Sequence, residues 1–341
     1  MMQPPKIRTS PISWVKKNLF NTGFNAVLTL LCIAFLYTIA SALLHWLMGT
    51  QWTVVTDNIR LFWVGRYPEN QLWRMWSCLG LVIALGVTQL VQSRIQHPRQ
   101  RQQLQSLIYI LLPIALVAIA WLANGGFGLP LMRTSLLGGL FLTVFTAAIS
   151  IALAFPLAIL LALGRRSDLI VIRTVSTGYI ELVRGLPLIG ILFMAQVMLP
   201  LVMPSGFRMD RLWRAIAGLM LFNAAYLAEN IRAGLQALPK GQDEAARSLG
   251  LGPFQTLRFI ILPQALRQVT PAIVGQFISL FKDTSLLALF AVFELTGTAR
   301  SVLSQPQFLG RNAEVYAFIG LIYWIFCFTM SRLSQRLEVR S

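Results

Sequence analysis

Pro239-Lys240-Gly241-Gln242-Asp243-Glu244-Ala245-Ala246-Arg247-Ser248-Leu249-Gly250, followed at a short distance by Ile260-Ile261-Leu262-Pro263, is a polar interval between two long apolar segments. Pro239-Lys240-Gly241 breaks the preceding helix and Asp243 can cap a new one. Glu244 puts a negative charge in its first turn, where the helix dipole favours it. Ala245, Ala246 and Leu249 fall at neighbouring positions on one side, and the two small side chains let another protein surface come close to the backbone. Gly250 suits a left-handed stop, and Pro253 suits the first turn of a second helix running to Pro263. The stretch predicts a compact helix-turn-helix at a membrane surface, shaped to be gripped by another chain.

The surroundings are those of an integral membrane protein. Hydrophobic residues make up 56% and charged residues 12% of the 341, whereas a soluble domain is about a quarter charged. Stretches long enough to cross a bilayer, about twenty residues each, occur near 23–47, 76–92, 107–124, 135–163, 186–204, 212–231, 266–281 and 314–331. The sequence therefore predicts an all-α membrane protein of about eight transmembrane helices. Residues 284–298 are also apolar, but Asp283 and Glu294 bracket them too closely for a separate crossing. They read as a partly re-entrant or outer-leaflet segment, where irregular backbone is tolerated if buried in protein.

With eight crossings and the N-terminus inside, nineteen of the 29 Lys and Arg residues fall in cytoplasmic intervals, among them Lys6, Arg8, Lys16, Lys17, Arg165, Arg166, Lys240 and Arg340. The positive-inside rule supports that topology and puts the interval at 239–263 in the cytoplasm. The net charge of +17 sits at helix ends, as lipid headgroups require. No basic stripe with interleaved aromatics suggests nucleic acid. The polar, basic N-terminus followed by a long apolar run does not read as a cleaved signal. Cys32, Cys78 and Cys327 lie singly within predicted helices, and His45 and His97 are isolated. No metal site or disulfide framework is indicated. The P-loop pattern G-x-x-x-x-G-K-[ST] does not occur, so energy from ATP would have to arrive through a partner.

Glu244-Ala245-Ala246, Gly250 and Ile260-Ile261-Leu262-Pro263 fill every fixed position of E-A-A-x3-G-x9-I-x-L-P. The segment resembles the cytoplasmic EAA loop by which membrane subunits of binding-protein-dependent ABC importers engage their ATPases. Tyr179-Ile180-Glu181-Leu182-Val183-Arg184-Gly185-Leu186-Pro187-Leu188 resembles the E-x-x-R-G-x-P-L signature of the polar amino-acid permeases. Asn223 to Arg232 and Lys282-Asp283-Thr284-Ser285-Leu286 are similar to further segments of that group. The resemblance covers most of 135–334. It implies a type I importer fold, with a five-helix core over 134–341 containing the coupling loop 233–265. The three helices of 1–133 form an extension, as in the longer subunits of general amino-acid importers. Its outward loop from Met48 to Arg74 carries Trp52, Trp63 and Trp73, with Trp76 just beyond, read as interfacial anchors.

The resemblance implies a permease subunit that is not an enzyme and binds no cofactor itself. A cytoplasmic ABC ATPase dimer would use ATP and Mg, and a periplasmic or extracellular binding protein would deliver amino acids. A second permease would complete the pathway, with a heterodimer favoured, in a bacterial inner membrane with both termini cytoplasmic. The ATPase-coupling residues would be Asp243, Glu244, Ala245, Ala246, Leu249, Gly250, Leu262 and Pro263. Import rather than export rests on the resemblance alone.

Glu181 with Arg184, and Glu229 with Arg232, are each three apart on a helix and read as local ion pairs with structural or gating roles. Lys282 and Asp283 follow an apolar helix directly. Ionisable groups at such depth usually face a watery path, and with Thr284 and Ser285 they could complement the ammonium and carboxylate of an amino acid; a membrane-interface turn with an outward Lys is the alternative. Gln196 and Asn223 are further pathway candidates, equally explained by interhelical hydrogen bonds. An ion-coupled secondary transporter would share the hydropathy, but it usually carries internal repeats, and none is evident.

Overall fold

The computed structural model describes residues 10–95, 98–204, 206, 208–239 and 241–338. Lys6, Arg8, His97, Lys240 and Arg340 lie outside them. Packing divides the chain into two units, Met1–Thr53 and Val54–Ser341. In the first, α1 (Pro11–Leu19) starts on a proline, and α2 (Gly23–Gly49) is capped by Thr22, whose Oγ1 accepts from the Asn25 N–H at 3.2 Å. No residue of α2 is buried within the chain. Its 27 residues extend for about 40 Å at 1.5 Å per residue, and an apolar surface of that length has its natural cover in lipid.

The second unit opens with a helical strap. α3 (Thr53–Thr56), α4 (Ile59–Val64) and a 3₁₀ turn (Glu69–Gln71) lead into α5 (Leu72–Arg94), which pairs with α6 (Pro98–Asn124). The sequence reads this interval as an outward loop. The tryptophans at 63, 73 and 76 are indeed well exposed, but Val54, Val55, Phe62, Tyr67 and Arg74 between them are buried. Phe62 meets Phe318 edge-on at 5.2 Å. A Cβ at Gly138 would lie 2.9 Å from the Gly65 Cα. Gly139, at φ +58, has the Phe62 carbonyl where a side chain would go, so neither position admits one. The interval is pinned because Val54, Val55, Phe62 and Tyr67 turn inward and the glycine contacts let its backbone lie directly on the start of α7.

The remaining helices are α7 (Gly139–Arg165), α8 (Ile170–Gly185), α9 (Leu188–Phe193), α10 (Leu199–Val202), α11 (Arg211–Ala237), α12 (Gly241–Ser248), α13 (Pro253–Gln255), α14 (Leu262–Gln268), α15 (Thr270–Asp283), α16 (Leu295–Leu303) and α17 (Asn312–Glu338). α7 and α11 run parallel and in register. The Thr134 hydroxyl donates to Asp210 at 2.8 Å, Ser150 Oγ reaches the Ile216 carbonyl at 3.5 Å, and Arg165 reaches Glu229 at 3.1 Å. Ala154, Ala158 and Ala162 on α7 face Ala224, Leu227, Ala228 and Ile231 on α11, all buried in one cluster. Small residues one turn apart let the two backbones approach closely.

Among the described residues five helices are long and apolar enough to cross a membrane: Gly23–Gly49, Ser106–Asn124, Gly139–Arg165, Thr270–Phe290 and Asn312–Gln335. A sixth arises if α8 and the segment Leu188–Val202, bent by 105°, make one span. The expected eight exceed that count. α11 covers the predicted 212–231, but Asn223, Glu229, Asn230 and Arg232 dilute its apolar character. The predicted 186–204 is only 15 residues of helix interrupted by a π turn at Met194–Met198, about 22 Å along its axis. Residues 284–303 form a 3₁₀ helix (Thr284–Phe290), a left-handed Ala291 and α16, a broken backbone packed within the protein.

Candidate functional site: the coupling segment and the charged helix ends

α12 begins at Gly241, three residues before the Glu244 start that Asp243 as its cap would require. Asp243 lies in the first turn and pairs with Arg247 at 2.9 Å. The helix closes as the glycine predicts. Gly250 takes φ +78, its N–H donates to the Arg247 carbonyl at 2.9 Å, and the Leu251 N–H to Ala246 at 3.2 Å. That pair of bonds is the Schellman closure, which satisfies the last carbonyls of the helix. Ala246 is buried against the chain, while Glu244, Ala245 and Leu249 face outward. Leu249 is 82% exposed and Phe254 69%, an apolar edge on an otherwise polar element.

The second helix of the pair passes Pro263 and continues to Gln268. Proline cannot donate to the carbonyl four residues back; the ladder adapts with a π turn over Thr256–Ile261 just before it. Leu262 is half-buried in the α7–α11 cluster and Pro263 is exposed. α14 lies against α11 so closely that a Cβ on Gly234 would be 2.6 Å from the Ala265 carbonyl oxygen. The α12–α14 segment is thus seated directly on the end of α11.

Just inside that seat, the charges form one network where the sequence predicts two local pairs. Glu229 pairs with Arg232, as expected, and also with Arg165 of α7 at 3.1 Å and Arg184 of α8 at 3.9 Å. Glu181 does not pair with Arg184; it meets Arg165 at 3.1 Å. The Arg184 side chain instead lies over the Tyr226 ring, 5.6 Å from its centroid. Spacing along α8 allowed the local pair, but the packing of α8 against the end of α7 offered a better partner. Arg165, which sequence reasoning treated only as a basic helix end, is the bridge between the two glutamates. Arg166 adds a bond to the Leu235 carbonyl at 3.3 Å.

The pathway candidates are not gathered into one cavity by hydrogen bonds. Asn223 accepts from Gln276 of α15 at 2.7 Å and donates to Leu219 at 2.9 Å. The Gln196 side chain donates to the Arg211 carbonyl, and its backbone carbonyl accepts from Arg214, both at 2.9 Å. Lys282 is exposed, Asp283 and Ser285 are half-buried, and Thr284 is buried with its hydroxyl on the Phe281 carbonyl at 2.7 Å.

A carboxylate that sequence reasoning used only as a bracket is the hub of the broken segment. Glu294, between the spans Thr270–Phe290 and Asn312–Gln335, is fully buried. It caps α16 by accepting from the N–H groups of Thr296 at 2.9 Å and Gly297 at 2.8 Å, and it accepts from the Tyr323 hydroxyl at 3.0 Å. Burial pushes its carboxyl up to about 7, against those stabilising bonds. Neither its capping role nor its burial had a local signal, since glutamate is not among the residues that favour an N-cap.

The helix order, the projecting α12 and the match of residues 154–341 to the family described as binding-protein-dependent transport system inner membrane component together decide the affiliation. This chain belongs to that family. The permease is 42% identical to the inner membrane amino-acid ABC transporter permease protein YhdY of Escherichia coli, over 96% of this chain and 92% of that one. It is 32% identical to the glutamate/glutamine/aspartate/asparagine transport system permease protein BztC of Rhodobacter capsulatus, over 98% and 94%. A solved structure, the crystal structure of an amino acid ABC transporter with histidines, superposes with a TM-score of 0.54 at 31% identity, covering 60% of this chain and 92% of that one. The permease is thus a multi-pass inner-membrane protein and the non-catalytic membrane component of an ABC transporter. Membership implies an ATPase and a binding protein as partners, and the family typically binds no cofactor.

Proposed function

We propose that the permease forms one half of an ATP-driven importer of amino acids of the glutamate, glutamine and aspartate type, crossing the membrane eight times with both termini in the cytoplasm. The observation that carries the coupling part of this reading is the projecting α12, closed at Gly250 and seated through α14 on α11. Asp243, Glu244, Ala245, Leu249 and Gly250, with Ala246, Leu262 and Pro263 behind them, meet a groove of a cytoplasmic ATPase dimer that hydrolyses ATP with Mg. Residues 134–341 act as the transporting core and 1–133 as an extension. The names of the long relatives support the substrate class.

A second permease, favoured as a different related chain, faces this one across the pathway, and a periplasmic binding protein delivers substrate. Closure of the ATPases on ATP moves α12, and α14 transmits the movement to α11 because no side chain separates them at Gly234. The network of Arg165, Glu181, Arg184, Glu229 and Arg232 holds the cytoplasmic ends of α7, α8 and α11 together in one state. Lys282, Asp283, Thr284 and Ser285 line the path, with Gln196 and Asn223 fixing the helices beside it.

The test is extraction of the tagged permease from its native membrane, identification of what accompanies it, and uptake by that assembly. Recovery of an ATPase, with ATP-dependent amino-acid uptake lost on Glu244→Arg although the chain still inserts, is the expected result. Uptake indifferent to that change would overturn the coupling assignment.

A further inference from the structure

At the end of the molecule opposite α12, a cleft of about 320 Å³ opens between the start of α7, the start of α11 and the turn after the 3₁₀ helix. Such a volume is in the range of small-molecule sites. Its charged lining is Asp210, Arg211 and Arg214. Asp210 is held in place, one oxygen accepting from the Leu212 N–H and the other from the Thr134 hydroxyl, each at 2.8 Å, and each oxygen keeps a further lone pair. The arginines are not matched by acids. Arg211 donates to the Ala291 carbonyl at 3.2 Å and Arg214 to the Gln196 carbonyl at 2.9 Å, and among the described residues neither is in an ion pair. The Nε of Arg214 is sealed from solvent with no partner at all.

Two guanidiniums one turn apart on α11, against one carboxylate, leave one positive charge in excess inside a recess. A zwitterionic amino acid is balanced by a single cation and a single anion. A dicarboxylic amino acid carries two carboxylates and one ammonium and is the complement of this lining, with Arg211 and Arg214 taking carboxylate oxygens and Asp210 the ammonium. We infer that this cleft is an outer reception site for acidic amino acids, at which the permease itself favours them over their amides. This rests on the importer reading and goes beyond it, because it assigns substrate selection to the membrane chain and to a place distinct from Lys282 and Asp283.

The experiment is uptake of radiolabelled glutamate and glutamine by the complete transporter with its binding protein in membrane vesicles, for wild type, Arg214→Gln, Arg214→Lys and Arg211→Gln. Arg211 is exposed, so its variant should fold even if Arg214→Gln does not, and co-purification of the ATPase checks assembly. Expected is a fall of about tenfold in glutamate uptake for either Gln variant, less than twofold for glutamine, and partial recovery in Arg214→Lys. Equal losses for both substrates, with weakened binding-protein association, would mean that the arginines meet an acidic protein surface, and would overturn the proposal. So would unchanged glutamate uptake, or a wild type that takes up only neutral amino acids. A wild type with no ATP-dependent amino-acid uptake would fail the importer reading itself and the cleft proposal with it.

Discussion

At the scale of single residues, the two carboxylates that matter most are those with the most partners. Glu229 faces three guanidiniums and its side chain is 22% exposed, whereas that of Glu181 is 63% exposed and meets one. Truncating a half-buried, hydrogen-bonded charge costs about 1–3 kcal/mol, an exposed pair under about 1 kcal/mol. Glu229→Ala should therefore lower the melting temperature in detergent clearly more than Glu181→Ala, and equal shifts would refute the hub. Glu294 adds a pH dependence. Its folded carboxyl, near 7, lies above the ordinary 4.5. Its contribution to stability is fully present below 4.5 and is lost as pH rises through 7. Melting temperature should fall from pH 5 to pH 8 in the wild type more steeply than in Glu294→Gln, whose side chain does not titrate; parallel slopes would remove this account.

At the scale of elements, the helix-turn-helix of α12–α14 was legible because its signals are local. A glycine at a left-handed position, a proline in a first turn and an acid near a helix start act within a few residues. What was not legible was contact between elements: the partner of Glu181, the burial of Glu294, and the strap that reads as a loop because its inward apolar residues are interspersed with exposed tryptophans. Gly234 belongs with these, since nothing in its own neighbourhood announces that Ala265 lies against it. Gly234→Leu should push α14 off α11, leaving ATPase association intact while uptake per ATP hydrolysed falls at least severalfold. Gly250→Ala should act earlier. Its left-handed backbone costs about 1 kcal/mol for a residue with a Cβ, so α12 frays and ATPase association itself weakens. If the two variants fail alike in a pull-down of the ATPase, α14 is not the transmitter.

At the scale of the whole molecule, the question is whether the extension is an appendage or part of the core. In this chain the residues around the start of α7 have been fitted to the strap. Gly138 and Gly139 leave room for Gly65 and the Phe62 carbonyl, and Phe62 and Tyr67 are fully buried. Burying side chains of this size contributes about 1.5–3 kcal/mol each, comparable in sum to a large share of a domain's net stability. Removing residues 1–133 would uncover glycines that cannot be re-covered by side chains of their own. The chain cut between residues 133 and 134, with both pieces expressed together, should therefore assemble with the ATPase and transport, because the strap can dock from a separate piece. The piece 134–341 alone should be degraded or fail to retain the ATPase. An active, assembled 134–341 fragment would show that the strap is dispensable and that the glycine seam at Gly65 and Gly138 stabilises the extension on the core, and not the core itself.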